Sequence, residues 1–172
     1  MAAVVILVGL PGSGKSSLAG FLCPRFDLTL IDRDRLRAEL FPDCQFTDAE
    51  KRAANAAVLK RLEQHCAAGE SCLVDGMTSS RQSERVTARA TVLKHRSCFL
   101  QLWLDCPVAL EVRRVESQPH PAKDRDTARV REVAARFERP RDAVRLDAAL
   151  APEEIQRLAV EAYEAAMTPS RL

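Results

Sequence analysis

Short apolar segments alternate with longer segments of helical periodicity along the whole chain. The apolar segments are predicted to be β-strands, and they cover residues 4–8, 28–31, 71–75, 98–104 and 144–146. The first is an unbroken run of aliphatic residues, which is typical of a strand buried on both faces of a parallel sheet. Strands that alternate with helices predict an α/β fold in three layers, with a five-stranded parallel sheet and helices on both faces.

The clearest helix is predicted over residues 48–68. Thr47 precedes it and Glu50 follows three positions later, which is the pattern of a capping box. Gly69 is placed to end the helix, because glycine adopts the left-handed conformation that helix ends commonly require. The inward face of this helix is predicted to consist of Val58, Leu59, Leu62 and Cys66.

Three further helices are predicted over residues 79–94, over residues 125–137 and from Pro152 onward. Proline is favoured in the first turn of a helix, which supports the last of these starts. In the helix over 79–94, the apolar positions that share one face are expected to point to the core, and they are Val86, Ala90 and Leu93.

Residues 9–16 read GLPGSGKS and fit the pattern G-x-x-x-x-G-K-[ST] of a phosphate-binding loop. They lie between a predicted strand and a predicted helix start, which is the order that such a loop needs. Its glycines let backbone N–H groups turn towards an anion, and the helix N-terminus adds partial positive charge. We therefore expect ATP and Mg²⁺ as cofactors, with Lys15 at the β- and γ-phosphates and Ser16 as a magnesium ligand. The other expected nucleotide contacts in this loop are Gly12, Ser13, Gly14 and Ser17.

Acidic residues follow the second and third predicted strands, at the edge of the sheet where ligands bind in such folds. Asp34 is the candidate general base, and Arg37 would share its helical face and hold an acidic substrate. The alternative for Asp34 is a helix cap. Asp75 is the candidate metal ligand, for which a strand-end cap is the alternative.

Asn55 falls within the apolar stripe of the helix over 48–68, and a buried amide needs a hydrogen-bond partner. Arg52 lies one turn earlier at the edge of the same face. The two side chains are therefore candidates for binding the acceptor of a phosphoryl group. A hydrogen bond from Asn55 to a neighbouring loop is the alternative.

Arginines are frequent after the fourth predicted strand, and we expect residues 113–137 to form a lid over ATP. Arg114 is assigned to catalysis by screening the γ-phosphoryl charge, and Arg113 and Arg129 are assigned to nucleotide binding. Arg125 and Arg136 are predicted to lie on the same helix face as Arg129. Arginines of a solvated helix surface are the alternative.

The composition supports one soluble domain over residues 1–172, since 47% of the side chains are hydrophobic. The 26 basic and 24 acidic residues give a formal charge of +2, which favours neither nucleic acid nor membranes as partners. Six cysteines without a C-x-x-C pair point to a reducing cytoplasm. No segment approaches the ~18 apolar residues of a membrane span.

These motifs resemble those of a P-loop kinase of the nucleoside-monophosphate-kinase-like group. The polynucleotide 5′-hydroxyl kinases and their ATPase-like relatives are similar at Arg33, Asp34 and Arg37, at Val74-Asp75, and at Phe137, Glu138 and Pro140. This resemblance implies that Asp34 is the general base and that Arg37 contacts the acceptor.

Adenylylsulfate kinase is the second family that the chain resembles. Similar motifs occur at residues 32–37, at Phe46-Thr47 followed by Arg52 and Asn55, and at residues 105–107. This resemblance also implies that Asp34 is the base.

The sequence thus predicts an ATP:alcohol phosphotransferase whose acceptor is an anionic small molecule or nucleotide with a free hydroxyl. A polynucleotide 5′-hydroxyl kinase and a regulatory nucleotide-switch ATPase stay open as alternatives, and a toxin-like kinase acting on a nucleotide sugar is a third.

Overall fold

The structure is a computed structural model that describes residues 2–77, 79–117 and 126–168. The strands are β1 (Ala3–Val8), β2 (Thr29–Asp32), β3 (Cys72–Asp75), β4 (Cys98–Asp105) and β5 (Val144–Asp147). The helices are α1 (Lys15–Phe26), α2 (Arg33–Leu40), α3 (Asp48–Ala68), α4 (Gln82–Lys94), α5 (Val108–Ser117), α6 (Thr127–Ala135) and α7 (Pro152–Met167).

The five strands form one parallel sheet in the order β2-β3-β1-β4-β5. The central strand β1 pairs with β4 from Ala3 opposite Cys98 to Val8 opposite Trp103. β2 and β3 lie on one side of β1, and β4 and β5 lie on the other, so the direction in which the chain adds strands reverses at β1. Ligands bind at such a point in open α/β sheets. The predicted five-stranded parallel α/β fold is confirmed.

Each face of the sheet carries its own hydrophobic core. Val5 and Leu7 of β1 belong to the core that α1 and α7 cover, together with Leu18, Leu22 and Ala159. The alternate β1 residues belong to the opposite core, which α3 and α4 cover, and they are Val4, Ile6 and Val8. This alternation explains why β1 is apolar at every position, since a strand covered on both faces has no polar side.

Helix α3 has the predicted bounds. Thr47 Oγ1 accepts a hydrogen bond from the backbone of Glu50, and the Glu50 side chain accepts one from the backbone of Thr47. Gly69 ends the helix with φ of 70°. The capping-box prediction is therefore confirmed, whereas the buried stripe contains Ala54 in place of Leu59, which is partly buried.

The predicted inward face of α4 is wrong. Val86 and Leu93 are 55% and 52% exposed, and the buried positions are Arg85, Ala88 and Val92. The predicted and the observed buried positions both have helical spacing, and the predicted ones are all apolar. Apolar periodicity alone therefore favoured the exposed face. The true face contains an arginine, and its head group is compensated by backbone carbonyls that the sequence pattern does not reveal.

The predicted lid over 113–137 corresponds to the second half of α5 and to all of α6. Arg125 and residues 118–124 between these helices lie outside the described residues. None of the helices in the described ranges is long and apolar enough to cross a membrane.

Replacing Val92 with alanine should lower the free energy of unfolding by roughly 1–3 kcal/mol, because the lost methyl groups leave a cavity between α4 and the sheet. The matched change Val86→Ala, six residues earlier on the exposed face, should change it by less than about 0.5 kcal/mol. Urea unfolding of both variants checks this. Equal losses would show that α4 packs through the other face.

Candidate functional site

A cavity of about 440 Å³ opens at the carboxyl end of the sheet. Its walls come from the phosphate-binding loop, α2, the start of α3, the segment after β3, and α6. Of the residues predicted from sequence, the cavity brings together Lys15, Ser16, Asp34, Arg37, Arg52, Asn55, Asp75 and Arg129. Eight basic and five acidic side chains lie among the described lining residues, so the cavity favours anionic ligands.

The phosphate-binding loop lies against β4 and α5 at distances that exclude side chains. A Cβ at Gly9 would lie 2.9 Å from the carbonyl oxygen of Leu104, and one at Gly12 would lie 2.9 Å from that of Glu111. Gly12 and Gly14 have φ of 86° and 96°, where other residues are strained. The loop conformation that exposes backbone N–H groups to a phosphate therefore depends on these glycines.

Lys15 is buried at the start of α1, and its ammonium group lies inside the loop. Nζ donates hydrogen bonds to the carbonyl oxygens of Gly9 at 2.8 Å and Leu10 at 2.7 Å. Nζ also lies 3.4 Å from Oγ of Ser13. A phosphate bound in the loop would replace carbonyl partners of Lys15 with charged oxygens, which form stronger hydrogen bonds.

Asp32 caps α2, so Asp34 does not have the capping role that was its alternative. Oδ1 of Asp32 accepts hydrogen bonds from the backbone N–H groups of Asp34 at 2.8 Å and Arg35 at 3.3 Å. The Asp34 carboxylate forms ion pairs with Arg37 at 3.1 Å and with Arg33 at 3.5 Å. It is thereby held on the cavity wall by two guanidinium groups.

Arg37 is buried although it carries a full charge. Its guanidinium lies 4.5 Å from the ring centroid of Phe46, a cation–π contact. The pairing with Asp34 and the contact with Phe46 fix its direction towards the cavity.

Asn55 finds its partner in a side chain. Its Oδ1 accepts a hydrogen bond of 2.7 Å from Nε of Arg33, which also lines the cavity. Arg52, one turn earlier on α3, is exposed on the same cavity wall. The amide thus links α3 to α2.

Asp75 ends β3 inside the cavity and is 4% exposed. Its Oδ1 has no hydrogen-bond partner in the described part of the chain, and such a buried oxygen is costly unless a ligand completes it. Mg²⁺ is commonly held by one or two protein ligands together with phosphate oxygens. Asp75 and Ser16 fit this role. No cluster of three or more His, Cys, Asp or Glu among the described residues would hold a metal alone.

Arg113 and Arg114 are not among the residues that line the cavity. Nη2 of Arg114 donates a hydrogen bond of 2.9 Å to the carbonyl oxygen of Ala148, and Arg113 is exposed with Nε 3.5 Å from the carbonyl oxygen of Ala109. Ser17 is exposed beside the loop and does not line the cavity either. Their predicted roles stay predictions.

Arg129 of α6 and Arg136, the residue that follows this helix, share one carboxylate. Their Nη1 atoms donate to Glu132 at 2.7 Å and 3.0 Å. The hydrogen bond from Arg129 lowers the pKa of Glu132, so this carboxylate balances part of the local positive charge. All three side chains line the cavity.

Sequence reasoning missed several lining residues in the segment after β3. They are Gly76, Met77, Ser79, Ser80, Arg81 and Glu84. The rule that pointed to Asp75, that residues after a parallel strand face the ligand, applies to this segment as well.

Glu111 of α5 was also missed, although it lies directly behind the phosphate-binding loop. It is 1% exposed, and its Oε2 has no hydrogen-bond partner among the described residues. Burial raises the pKa of Glu111 to about 8, although the positive charges of Lys15 and Arg114 oppose this. The carboxyl is therefore mostly neutral at pH 7.

Alanine in place of Gly12 should abolish most nucleotide binding and lower stability, because the new Cβ meets the α5 backbone at 2.9 Å and φ is positive. Gly20→Ala is the matched control, since nothing lies within 4 Å of its Cβ position in α1. This control should raise stability by up to about 1 kcal/mol. Titration with an ATP analogue and thermal unfolding check both. Tight binding by Gly12→Ala would contradict the loop geometry.

Glu111→Gln should change how stability depends on pH. The folded protein keeps a proton on Glu111 up to about pH 8, whereas the unfolded chain releases it near the ordinary value of 4.5. Wild-type stability should therefore fall as pH rises between these values, by on the order of 3 kcal/mol.

The Gln variant lacks this loss, so its stability relative to wild type should rise from pH 5 to pH 8 and then level off. Urea unfolding at both pH values measures the difference, in which the titration of other groups cancels. A difference independent of pH would contradict the burial of an ionisable carboxyl at this position.

Solved structures of kinases share this fold. An APS kinase from Mycobacterium tuberculosis in complex with AMPPNP and APS is 21% identical, with a TM-score of 0.71, and the match covers 95% of this chain and 98% of that one. A gluconokinase from Sinorhizobium meliloti is 19% identical with a TM-score of 0.70, covering 95% and 92%. A sugar kinase from a Janibacter species is 18% identical with a TM-score of 0.72, covering 98% and 99%.

No sequence among curated proteins matches the chain significantly. At the identities above, the structural likeness shows the fold, which is that of the P-loop kinases. Residues 4–140 match the sequence profile of a family described as an AAA domain. This match covers more than half of the chain, and the protein therefore belongs to this AAA domain family.

Proposed function

We propose that the protein is an ATP-dependent kinase that transfers the γ-phosphoryl group of ATP to a hydroxyl of an anionic small-molecule or nucleotide acceptor. The observation that carries the proposal is one cavity in which Lys15 and Ser16 of the phosphate-binding loop share the lining with Asp34 and its arginine partners. The kinases that share the fold support phosphotransfer in general.

The phosphate-binding loop is the nucleotide side of the cavity. Backbone N–H groups of Gly12 to Ser16 would surround the β-phosphate, and Lys15 would bridge the β- and γ-phosphates. Mg²⁺, when bound by Ser16 and Asp75, would neutralise charge on the phosphate oxygens. Arg129 and Arg136 line the same cavity and would add positive charge near the transferred group.

The acceptor side lies across the cavity on α2 and α3. Asp34 would accept the proton of the acceptor hydroxyl while the oxygen of that hydroxyl bonds to the γ-phosphorus. The bond between the γ-phosphorus and the oxygen that bridges it to the β-phosphate would break, and ADP would leave. Arg37 and Arg52 would pair with acidic groups of the acceptor. The side-chain oxygen of Asn55 accepts a hydrogen bond from Arg33, and its NH₂ group would donate to the acceptor.

The proposal predicts transfer of label from γ-labelled ATP to a hydroxyl acceptor. The panel contains 5′-hydroxyl oligonucleotides, adenylylsulfate, nucleotide sugars and phosphorylated sugars, with the neutral forms of the sugars as controls. Transfer to anionic members only is expected. ATP hydrolysis without transfer to any member would favour the nucleotide-switch ATPase instead.

Asp34→Asn should lower turnover by about 10²–10⁴-fold, the usual contribution of a general base, while ATP affinity changes little. Asp48→Asn is the matched control, because Asp48 lines the same cavity with an exposed side chain that pairs with Lys51 at 3.8 Å. The control should retain near wild-type turnover. Normal turnover with weakened ATP binding in Asp34→Asn would instead place Asp34 on the nucleotide side.

A further inference from the structure

Arg85 is a charged side chain buried under the cavity wall, and its partners are backbone carbonyls. It is 5% exposed. Nη1 donates a hydrogen bond of 2.6 Å to the carbonyl oxygen of Ser79, and Nη2 donates one of 2.8 Å to that of Glu138. Burial lowers the pKa of Arg85, which expresses the cost of placing this charge there. Such a cost is tolerated only where the charge is well compensated.

The two carbonyls belong to segments that are distant in sequence and meet beside the cavity lining. Ser79 lies in the segment after β3, and Glu138 lies in the segment after α6, two residues beyond Arg136. Two more hydrogen bonds join the same segments. The N–H of Glu138 donates to Ser80 at 2.8 Å, and that of Gln82 donates to the Glu138 carboxylate at 2.6 Å.

Local strain makes the contribution of Arg85 more important. Ser79 has φ of 48°, a left-handed conformation that is strained in a residue other than glycine. A strained residue persists only when its surroundings hold it, and the hydrogen bond from Arg85 to its carbonyl is such a restraint. Phe137 is held in turn by stacking on Trp103, with 6.2 Å between ring centroids.

We infer that Arg85 is a positioning residue that sets the separation between the cavity-lining segment after β3 and the two cavity-lining arginines Arg129 and Arg136. The inference rests on the proposed function, because that separation matters for placing an acceptor beside the γ-phosphate. A guanidinium is suited to this role, since its planar fork presents donors to two segments at once. A lysine ammonium at this site would reach one carbonyl more readily than both.

The test compares Arg85→Met and Arg85→Lys with the control Arg89→Met. Arg89 lies one turn later on α4, and its exposed side chain pairs with Asp142 at 3.2 Å. Arg85→Met should lower kcat/KM for the acceptor by about 10²-fold, the effect of a misplacement of roughly 1 Å, with ATP affinity within about twofold of wild type. Arg85→Lys should recover part of this loss, and Arg89→Met should behave as wild type.

Glu138→Ala removes the carboxylate that accepts from Gln82 and keeps the backbone carbonyl to which Arg85 donates, and it should also lower acceptor kcat/KM. It keeps the test available if Arg85→Met does not fold. Trp103 is the one tryptophan in the sequence, so its quenching by iodide reports on the Phe137 contact. Quenching should increase in Arg85→Met and not in Arg89→Met.

Unchanged acceptor kinetics in folded Arg85→Met and Glu138→Ala would overturn the inference, as would equal losses of ATP affinity and acceptor kcat/KM. If wild type transfers to no acceptor, the proposed function fails separately. The role of Arg85 is then decided by iodide quenching with and without an ATP analogue. Greater quenching in Arg85→Met that Arg85→Lys reverses would support it, and quenching equal to that of Arg89→Met would overturn it.

Discussion

The close approach of the phosphate-binding loop to β4 and α5 is the constraint on which the rest of the site depends. At Gly9 and Gly12, backbone meets backbone with no room for a Cβ. This contact places the start of α1 at the end of β1 and brings Lys15 into the loop. Glu111 belongs to the part of α5 whose backbone meets Gly12, and its side chain is buried. The buried lysine and the buried acid are thus consequences of one packing arrangement.

The opposite side of the cavity is built from side chains that hold one another. Asp34 lies between Arg33 and Arg37, Arg33 also donates to Asn55, and Arg37 lies over Phe46. The two ion pairs of Asp34 lie within α2, and the contacts with Asn55 and Phe46 join α2 to α3 and to the segment that precedes α3. Charged groups arranged in this way need little reorganisation when an anionic ligand arrives, which is how preorganised sites stabilise developing charge.

The fold was predictable wherever one local rule acted alone. The aliphatic run of β1 and the capping box at Thr47 each follow from short stretches of sequence, and both are as expected. Strand ends pointed to Asp34 and Asp75, and both line the cavity. The face of α4 could not be predicted, because its buried arginine depends on the carbonyl of Glu138, 53 residues away in the chain. Periodicity contains no information about such a partner.

The same contrast explains why the phosphate-binding loop was evident in the sequence and the cavity wall on α2 and α3 only partly so. A loop that binds phosphate through its backbone needs glycines at fixed spacing, since the positive φ values and the lack of space tolerate no substitute. An acceptor surface made from side chains of several elements has no such spacing. An arginine on α2, on α3 or after β3 places the same positive charge in the cavity. The ability to bind an anion can therefore be kept although the arginines occupy different sequence positions. The positions of such side chains therefore depend on contacts between segments that are distant in sequence, such as those that Arg85 joins through the carbonyls of Ser79 and Glu138.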